Sequence, residues 1–160
     1  PPYGIETGQQ EIPFQGVYRL FPDSGKLMVL EKDFNRPNGL AFSPDEKLLY
    51  IGDSSKRRHV RAFEVKEDGT LGKGSLFSEI ESEEPGPPDG MKMDIEGRLY
   101  VAAAEGIWIF APTGELLGLI RVPETPANCA WGDSNWQSLY ITARTSLYRV
   151  KLTVQGIRVP

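Results

Sequence analysis

The amino-acid sequence predicts an all-β fold, and within that class a partial β-propeller of about three blades. Short runs that alternate apolar and polar residues recur along the 160 residues, and 13 Pro and 17 Gly punctuate them. One pattern occurs three times, as PNGLAFSPDEKLLY (37–50), PDGMKMDIEGRLY (88–100) and ANCAWGDSNWQSLY (127–140). Each copy opens with Pro or Ala before Asn38, Asp89 or Asn128, and each ends in Leu-Tyr.

The spacing of this repeat favours propeller blades over other repeat folds. The period is 51 residues from Asn38 to Asp89 and 39 residues from Asp89 to Asn128. These values bracket the roughly 45 residues of a four-stranded blade. The first period is longer because it includes inserted residues, namely the basic loop 54–58 and the acidic loop 81–88. A solenoid of β-turns would have shorter periods, and a sandwich would not repeat Asn or Asp at one strand entry.

The other strands are predicted as hairpins between the copies of the repeat, because period-two alternation flanks turns such as PDSG and KEDG. We expect them at 16–21, 26–31, 59–65, 74–80, 106–112, 116–122 and 146–152.

The predicted organisation is one partial propeller domain, 1–160, divided into a loop of the preceding blade (1–15), an outer hairpin (16–34), two blades (35–82 and 83–124) and an incomplete blade (125–160). A whole propeller needs about 160–360 residues. The chain is therefore expected to be the C-terminal portion of a propeller of about 300 residues, with the remainder upstream of Pro1; association of two chains around a common axis is the alternative.

Composition and charge exclude several classes of function. The net charge of −4 and the isoelectric point near 5.1 argue against nucleic-acid binding, which needs a basic face. No apolar run approaches the ~20 residues of a membrane-spanning helix, so no membrane partner is expected. Cys129 is the only cysteine and His59 the only histidine, which leaves no internal disulfide and no Ser-His-acid set. Localisation stays open between cytoplasm and periplasm.

The repeated Asn or Asp predicts a site as well as a fold. The innermost strands of successive blades begin near the central channel, so Asn38, Asp89 and Asn128 should converge at one end of it. Amide and carboxylate oxygens are ligands for Ca²⁺ or a similar hard cation. The alternative is that these residues only form the turns that enter the strands. Asp53, at the end of the strand YIGD, is a further candidate to reach a substrate or the surroundings of the ion.

Two long runs, GVYRLFPDSGKLMVLEKDFNRPNGLAFSPDEKLLYIGDS and PDGMKMDIEGRLYVAAAEGIWIFAPTGELLG, closely resemble the gluconolactonase-like family, which includes the senescence-marker/regucalcin lactonases. The resemblance implies a six-bladed propeller, of which this chain is the C-terminal half, with one divalent ion, usually Ca²⁺ but also Zn²⁺ or Mg²⁺, at the channel mouth. It matches the metal-binding Asn to Asn38 in RPNG. It matches the metal-binding Asp, usually proposed to handle protons, to Asp89 in PDGM. Asn128 fits a channel-lining position, and Tyr3 in PPYG could face the cleft rim.

The resemblance also implies ligands that the chain does not contain. The family's third protein ligand is a Glu near the start of the full-length chain, and Glu6 and Glu11 lie where the pattern places no ligand. The implied function is Ca²⁺-dependent hydrolysis of a sugar lactone, with the metal as Lewis acid and Asp89 accepting a proton from water. The alternatives are a phosphotriesterase on the same scaffold and a non-catalytic binding propeller. With an incomplete ligand set, the 160 residues alone are expected to be inactive.

Overall fold

The computed structural model describes residue 8 and residues 10–158, which form thirteen β-strands. Their bounds are β1 Gln15–Phe21, β2 Lys26–Phe34, β3 Pro37–Phe42, β4 Leu48–Asp53, β5 His59–Glu64, β6 Ser75–Glu79, β7 Met91–Met93, β8 Leu99–Ala103, β9 Gly106–Phe110, β10 Leu116–Arg121, β11 Pro126–Gly132, β12 Ser138–Ala143 and β13 Leu147–Lys151. Within this part of the chain, no helix has the length and apolar character needed to cross a membrane.

The strands form four antiparallel sheets in the order of the chain. The first sheet is β1–β2, the second β3–β4–β5–β6, the third β7–β8–β9–β10 and the fourth β11–β12–β13. Within each sheet, every strand pairs with its neighbour in sequence, so each sheet is a simple meander, the topology of a propeller blade. This arrangement confirms the all-β, partial-propeller prediction. We propose the blade boundaries 35–82, 83–124 and 125–160, which enclose the last three sheets.

Each sheet packs its face against the next sheet, and the apolar core consists of three layers between them. The layer between the first two sheets contains Val17, Phe34, Leu49 and Phe63. The second layer joins Tyr50 and Val60 of the second sheet to Met91, Val101 and Phe110 of the third. The third layer joins Ala102 and Ile107 to Cys129, Leu139 and Ile141. Because buried residues occur on both faces of the third sheet, its strand β8 is buried along its whole length.

The turns after the inner strands are stabilised by a recurring contact between an Asp and the following Tyr. Asp94 is fully buried and accepts hydrogen bonds from the Tyr100 hydroxyl at 3.0 Å and from the Arg98 Nε at 2.6 Å. In the next sheet, Asp133 accepts a hydrogen bond from the Tyr140 hydroxyl at 2.6 Å on the exposed side of the turn. The Leu-Tyr that ends each copy of the repeat therefore has a structural function in these two sheets.

Candidate active site at the entry of the inner strands

Two of the repeated polar residues, Asn38 and Asp89, lie in contact. Asn38 is the second residue of β3, and Asp89 lies two residues before β7. The Asn38 Nδ2 donates a hydrogen bond to the Asp89 Oδ1 at 2.8 Å. Each side chain is half-buried. The inner strands of adjacent sheets thus bring together an amide and a carboxylate at one end of the sheet stack.

Ser54 is a third member of this cluster. Its Oγ lies 3.0 Å from the Asn38 Nδ2 and donates its own hydrogen to the Pro88 carbonyl. Since a hydroxyl has one hydrogen, Ser54 must accept from Asn38, which determines that the amide nitrogen of Asn38 faces Ser54 and Asp89. The repeat pattern gave no signal for Ser54, because the equivalent positions after β8 and β12 are Ala104 and Arg144.

Asn128 lies beside the pair, separated from it by the backbone of Gly90. A Cβ added to Gly90 would lie 2.0 Å from the Asn128 Oδ1, and one added to Gly39 would lie 2.0 Å from the Asp89 carbonyl oxygen. At Gly39 the two backbones therefore approach more closely than a side chain would allow, and at Gly90 the space is filled by the Asn128 side chain. Asn128 itself is exposed, and its Oδ1 accepts the Cys129 backbone N–H at 2.9 Å. The structure brings all three positions to one end of the stack, but it places only Asn38 and Asp89 in direct contact.

The Asp89 carboxylate lies in an unusual electrostatic environment. Burial raises the pKa of Asp89 above its ordinary value, and hydrogen bonds from Asn38 and the Gly90 backbone reduce that rise. Among residues 10–158, no Lys, Arg or His forms an ion pair with Asp89 within 4.0 Å. A half-buried carboxylate without a cationic partner is costly to ionise. A bound cation would remove that cost.

The chemistry of these donors fits part of a site for a divalent cation. The Asn38 amide oxygen and the Asp89 carboxylate are hard oxygen ligands, which suit Ca²⁺ or Mg²⁺ better than a soft metal. Such ions are coordinated by about six or more oxygen atoms, so these two side chains alone do not complete a site. In the described part of the chain, no group of three or more His, Cys, Asp and Glu side chains is placed to hold a metal ion. Asn38 and Asp89 therefore fit as two members of a larger ligand set.

Asp53, the further candidate from the sequence, is the last residue of β4 and directly precedes Ser54. Its carboxylate is fully buried and accepts backbone N–H groups of Asn35 and Arg36 at 3.0 Å and of Ser55 at 2.9 Å. Burial alone would raise the pKa of Asp53, but the amide hydrogen bonds outweigh it and lower the pKa below its ordinary value. These contacts favour a structural function: Asp53 holds the loop before Asn38 against the loop that contains Ser54.

The remaining candidates contribute less to the site. Tyr3 and Glu6 lie outside the described residues, and Glu11 is exposed. Burial raises the pKa of the Cys129 thiol to about 12, so Cys129 is a poor nucleophile at neutral pH. His59 begins β5, and its pKa is lowered by burial.

Comparison with known proteins extends these observations. The protein family described as "SMP-30/Gluconolactonase/LRE-like region" matches residues 3–145 of this chain. A gluconolactonase of Zymomonas mobilis is 38% identical over 168 residues, covering 98% of this chain and 47% of that protein. A lactonohydrolase of Aspergillus oryzae is 31% identical over 163 residues, covering 88% of this chain and 34% of that protein. The solved structure of a gluconolactonase of Xanthomonas campestris superposes with a TM-score of 0.79 at 36% identity. The match covers 89% of this chain and 46% of that protein. The chain spans less than half the length of these relatives.

Proposed function

The chain belongs to the SMP-30/gluconolactonase/LRE-like family, and on that premise we propose that it supplies part of the active site of a lactone hydrolase. The observation that carries the proposal is the 2.8 Å contact between Asn38 and Asp89 at the entry of two adjacent inner strands. Gluconolactonase and lactonohydrolase relatives at 38% and 31% identity support a sugar lactone such as gluconolactone as the substrate class. Fold alone would not support this choice, because one fold hosts many activities.

Asp89 is the group to which we assign the proton transfers. Its carboxylate takes a proton from the attacking water while the water oxygen bonds to the lactone carbonyl carbon. As the ring C–O bond breaks, the protonated Asp89 returns the proton to the departing ring oxygen, so the hydroxy acid forms without net change in the protein. The position of the Asp89 carboxylate suits this function, since it is half-buried and is oriented by the Asn38 amide.

Asn38 and Ser54 orient the carboxylate in this scheme. Asn38 donates to one oxygen of Asp89, and Ser54 fixes the direction of the Asn38 amide through its own bond to the Pro88 carbonyl. We further propose that Asn38 and Asp89 together hold a divalent cation, Ca²⁺ or alternatively Zn²⁺ or Mg²⁺. When bound, such a cation supplies positive charge that stabilises the negative oxygen formed on the lactone carbonyl.

The test is to replace Asp89 in the intact protein and to measure hydrolysis of glucono-1,5-lactone. Asp89→Asn and Asp89→Ala should each lower kcat at least about 100-fold, the lower range of general acid–base contributions. Glu67→Gln changes an exposed acid in a distant turn and is the matched control. Calorimetry with Ca²⁺, Zn²⁺ and Mg²⁺ should show that Asp89→Ala also loses cation binding.

The same assays separate the alternative functions. Full lactone hydrolysis by Asp89→Ala would refute the assignment of Asp89. Wild-type protein that cleaves a phosphotriester in preference to the lactone would instead indicate a phosphotriesterase. Cation binding without cleavage of either substrate would indicate a binding propeller.

A further inference from the structure

A cleft of about 600 Å³ opens next to the Asn38–Asp89 pair. Its described lining residues are Asn35, Arg36, Ser54, Ser55, Lys56, Arg58, Gly86 and Pro87. Ser54 belongs to both sites, since its Oγ contacts the Asn38 Nδ2 at 3.0 Å. A molecule whose reacting carbonyl lies at Asp89 could therefore extend past Ser54 into this cleft.

The cleft is positively charged in a protein whose net charge is −4. Three of its described lining residues are cations and none is an acid. Arg36 and Lys56 are exposed, and neither side chain forms an ion pair or a hydrogen bond with another described residue. Nearby Arg57 differs, because it pairs with Asp33 at 3.2 Å and lies 3.9 Å from Asp53. Arg36 and Lys56 are therefore the cations that can bind an anion in the cleft.

Arg58 holds the opposite wall of the cleft in place. Its guanidinium donates hydrogen bonds to the carbonyls of Ser82 at 2.8 Å, Glu84 at 3.0 Å and Gly86 at 3.2 Å. Gly86 has a φ of 137°, and a Cβ there would lie 2.7 Å from the Ala104 nitrogen. The wall is thus fixed against the end of β8 before any ligand arrives, which lowers the entropic cost of binding.

We propose that this cleft binds an anionic group of the substrate, so that the preferred substrates are sugar lactones bearing a phosphate or a carboxylate. The proposal rests on the lactone hydrolysis proposed above and specifies its substrate class. Arg36 and Lys56 bind the anion, Arg58 supports the wall, and Ser54 connects this subsite to Asp89. Guanidinium and ammonium groups both bind phosphate and carboxylate oxygens, so the shared chemistry is that of an oxyanion.

The test compares three lactones in the intact protein: neutral glucono-1,5-lactone, 6-phosphoglucono-1,5-lactone and glucaro-1,4-lactone. The measured quantity is the ratio of kcat/KM for each anionic lactone to that for the neutral one. The Arg36→Gln, Lys56→Gln double variant should lower this ratio about ten-fold for the preferred anion, mainly through KM. Lys73→Gln, an exposed lysine outside the cleft, should leave the ratio unchanged. The lactone that shows the larger loss identifies phosphate or carboxylate as the anion.

The experiment distinguishes failure of the proposed anion subsite from failure of the proposed lactone hydrolysis. Normal hydrolysis of the neutral lactone, with both ratios unchanged in the double variant, would overturn the anion subsite and leave lactone hydrolysis standing. Hydrolysis of none of the three lactones would overturn the proposed function. In that case, titration with inorganic phosphate still tests the cleft: binding that weakens about ten-fold in the double variant supports it, and equal or absent binding overturns it.

Discussion

The Asn38 Nδ2 and the Asp89 Oδ1 lie 2.8 Å apart, although 51 residues separate them in the chain. Each residue lies at the entry of the innermost strand of a different sheet, so their bond crosses from one sheet to the next. A change that shifts one sheet relative to the other would therefore alter the orientation of the Asp89 carboxylate.

Replacement of Ser54 should lower activity more than stability. Ser54→Ala removes the acceptor for Asn38 and the donor to the Pro88 carbonyl, at a cost of about 1 kcal/mol in unfolding free energy. Because the Asn38 amide can then turn away from Asp89, we expect kcat for lactone hydrolysis to fall about ten-fold. Ser75→Ala is the control, since Ser75 is an exposed serine at the start of β6, outside the cleft and the cluster. Restored activity in Ser54→Thr would support the hydroxyl, and full activity in Ser54→Ala would refute its positioning function.

The contribution of Asp53 to stability should depend on pH. Asp53→Asn disrupts a buried set of three amide hydrogen bonds and should cost about 2–3 kcal/mol at pH 7. The pKa of Asp53 is lowered in the folded state, so its stabilisation is present above the unfolded pKa of about 4 and is lost as pH falls through the folded value. Urea unfolding of wild type and variant at several pH values between 7 and 2 should show the gap closing at the acidic end.

Asp23→Asn, in an exposed turn between β1 and β2, is the control for this experiment. A gap between wild type and Asp53→Asn that stays constant with pH would contradict the structural function of the ionised carboxylate.

The close approach of the inner strands predicts different costs for two glycine substitutions. A Cβ at Gly39 would lie 2.0 Å from a backbone oxygen, so Gly39→Ala must displace the strand and should cost about 3 kcal/mol. Gly118 lies in β10 with nothing within 4 Å of its Cβ position, and Gly118→Ala should change stability by no more than about 0.5 kcal/mol. Chemical denaturation measures both, and equal costs would contradict the described packing.

The two Tyr–Asp contacts of the repeat should differ in energy. Tyr100→Phe removes a hydroxyl that donates to the fully buried Asp94 and should cost about 1.5–3 kcal/mol. Tyr140→Phe removes an equivalent bond to Asp133 on the exposed side of a turn, where water can replace it, so its cost should be smaller. Thermal unfolding of the two variants gives the comparison, and a larger loss for Tyr140→Phe would reverse our ranking of the two turns.

Much of the fold could be predicted because its determinants are local. The alternation of apolar residues and the repeated Leu-Tyr determine strands, and the observed β5 His59–Glu64 lies within the predicted 59–65. The contact of Asn38 with Asp89 also follows from the repeat, since equivalent positions in adjacent sheets must converge. Asn128 shows the limit of that argument: it shares the position, but its oxygen bonds the Cys129 N–H of its own strand.

Other parts of the site could not be predicted from the pattern. An Asp at a strand end can contact a substrate or hold a loop, and only the positions of the Asn35, Arg36 and Ser55 amides favour the second for Asp53. Ser54 does not recur in the repeat. Whether Arg36 and Lys56 form ion pairs depends on how two loops that are distant in sequence fold together. Composition therefore showed a short basic run but not which of its cations face the cleft.

The glycine contacts of the inner strands imply a division of evolutionary freedom within this protein. Gly39 and Gly90 leave no room for a side chain between neighbouring strands, so the positions of Asn38 and Asp89 tolerate little variation. The exposed side chains of the loops 54–58 and 81–88 lie outside that constraint and can be exchanged without moving the strands. Directed evolution of substrate preference should therefore succeed in libraries of these exposed loop positions and fail in libraries of Gly39 and Gly90.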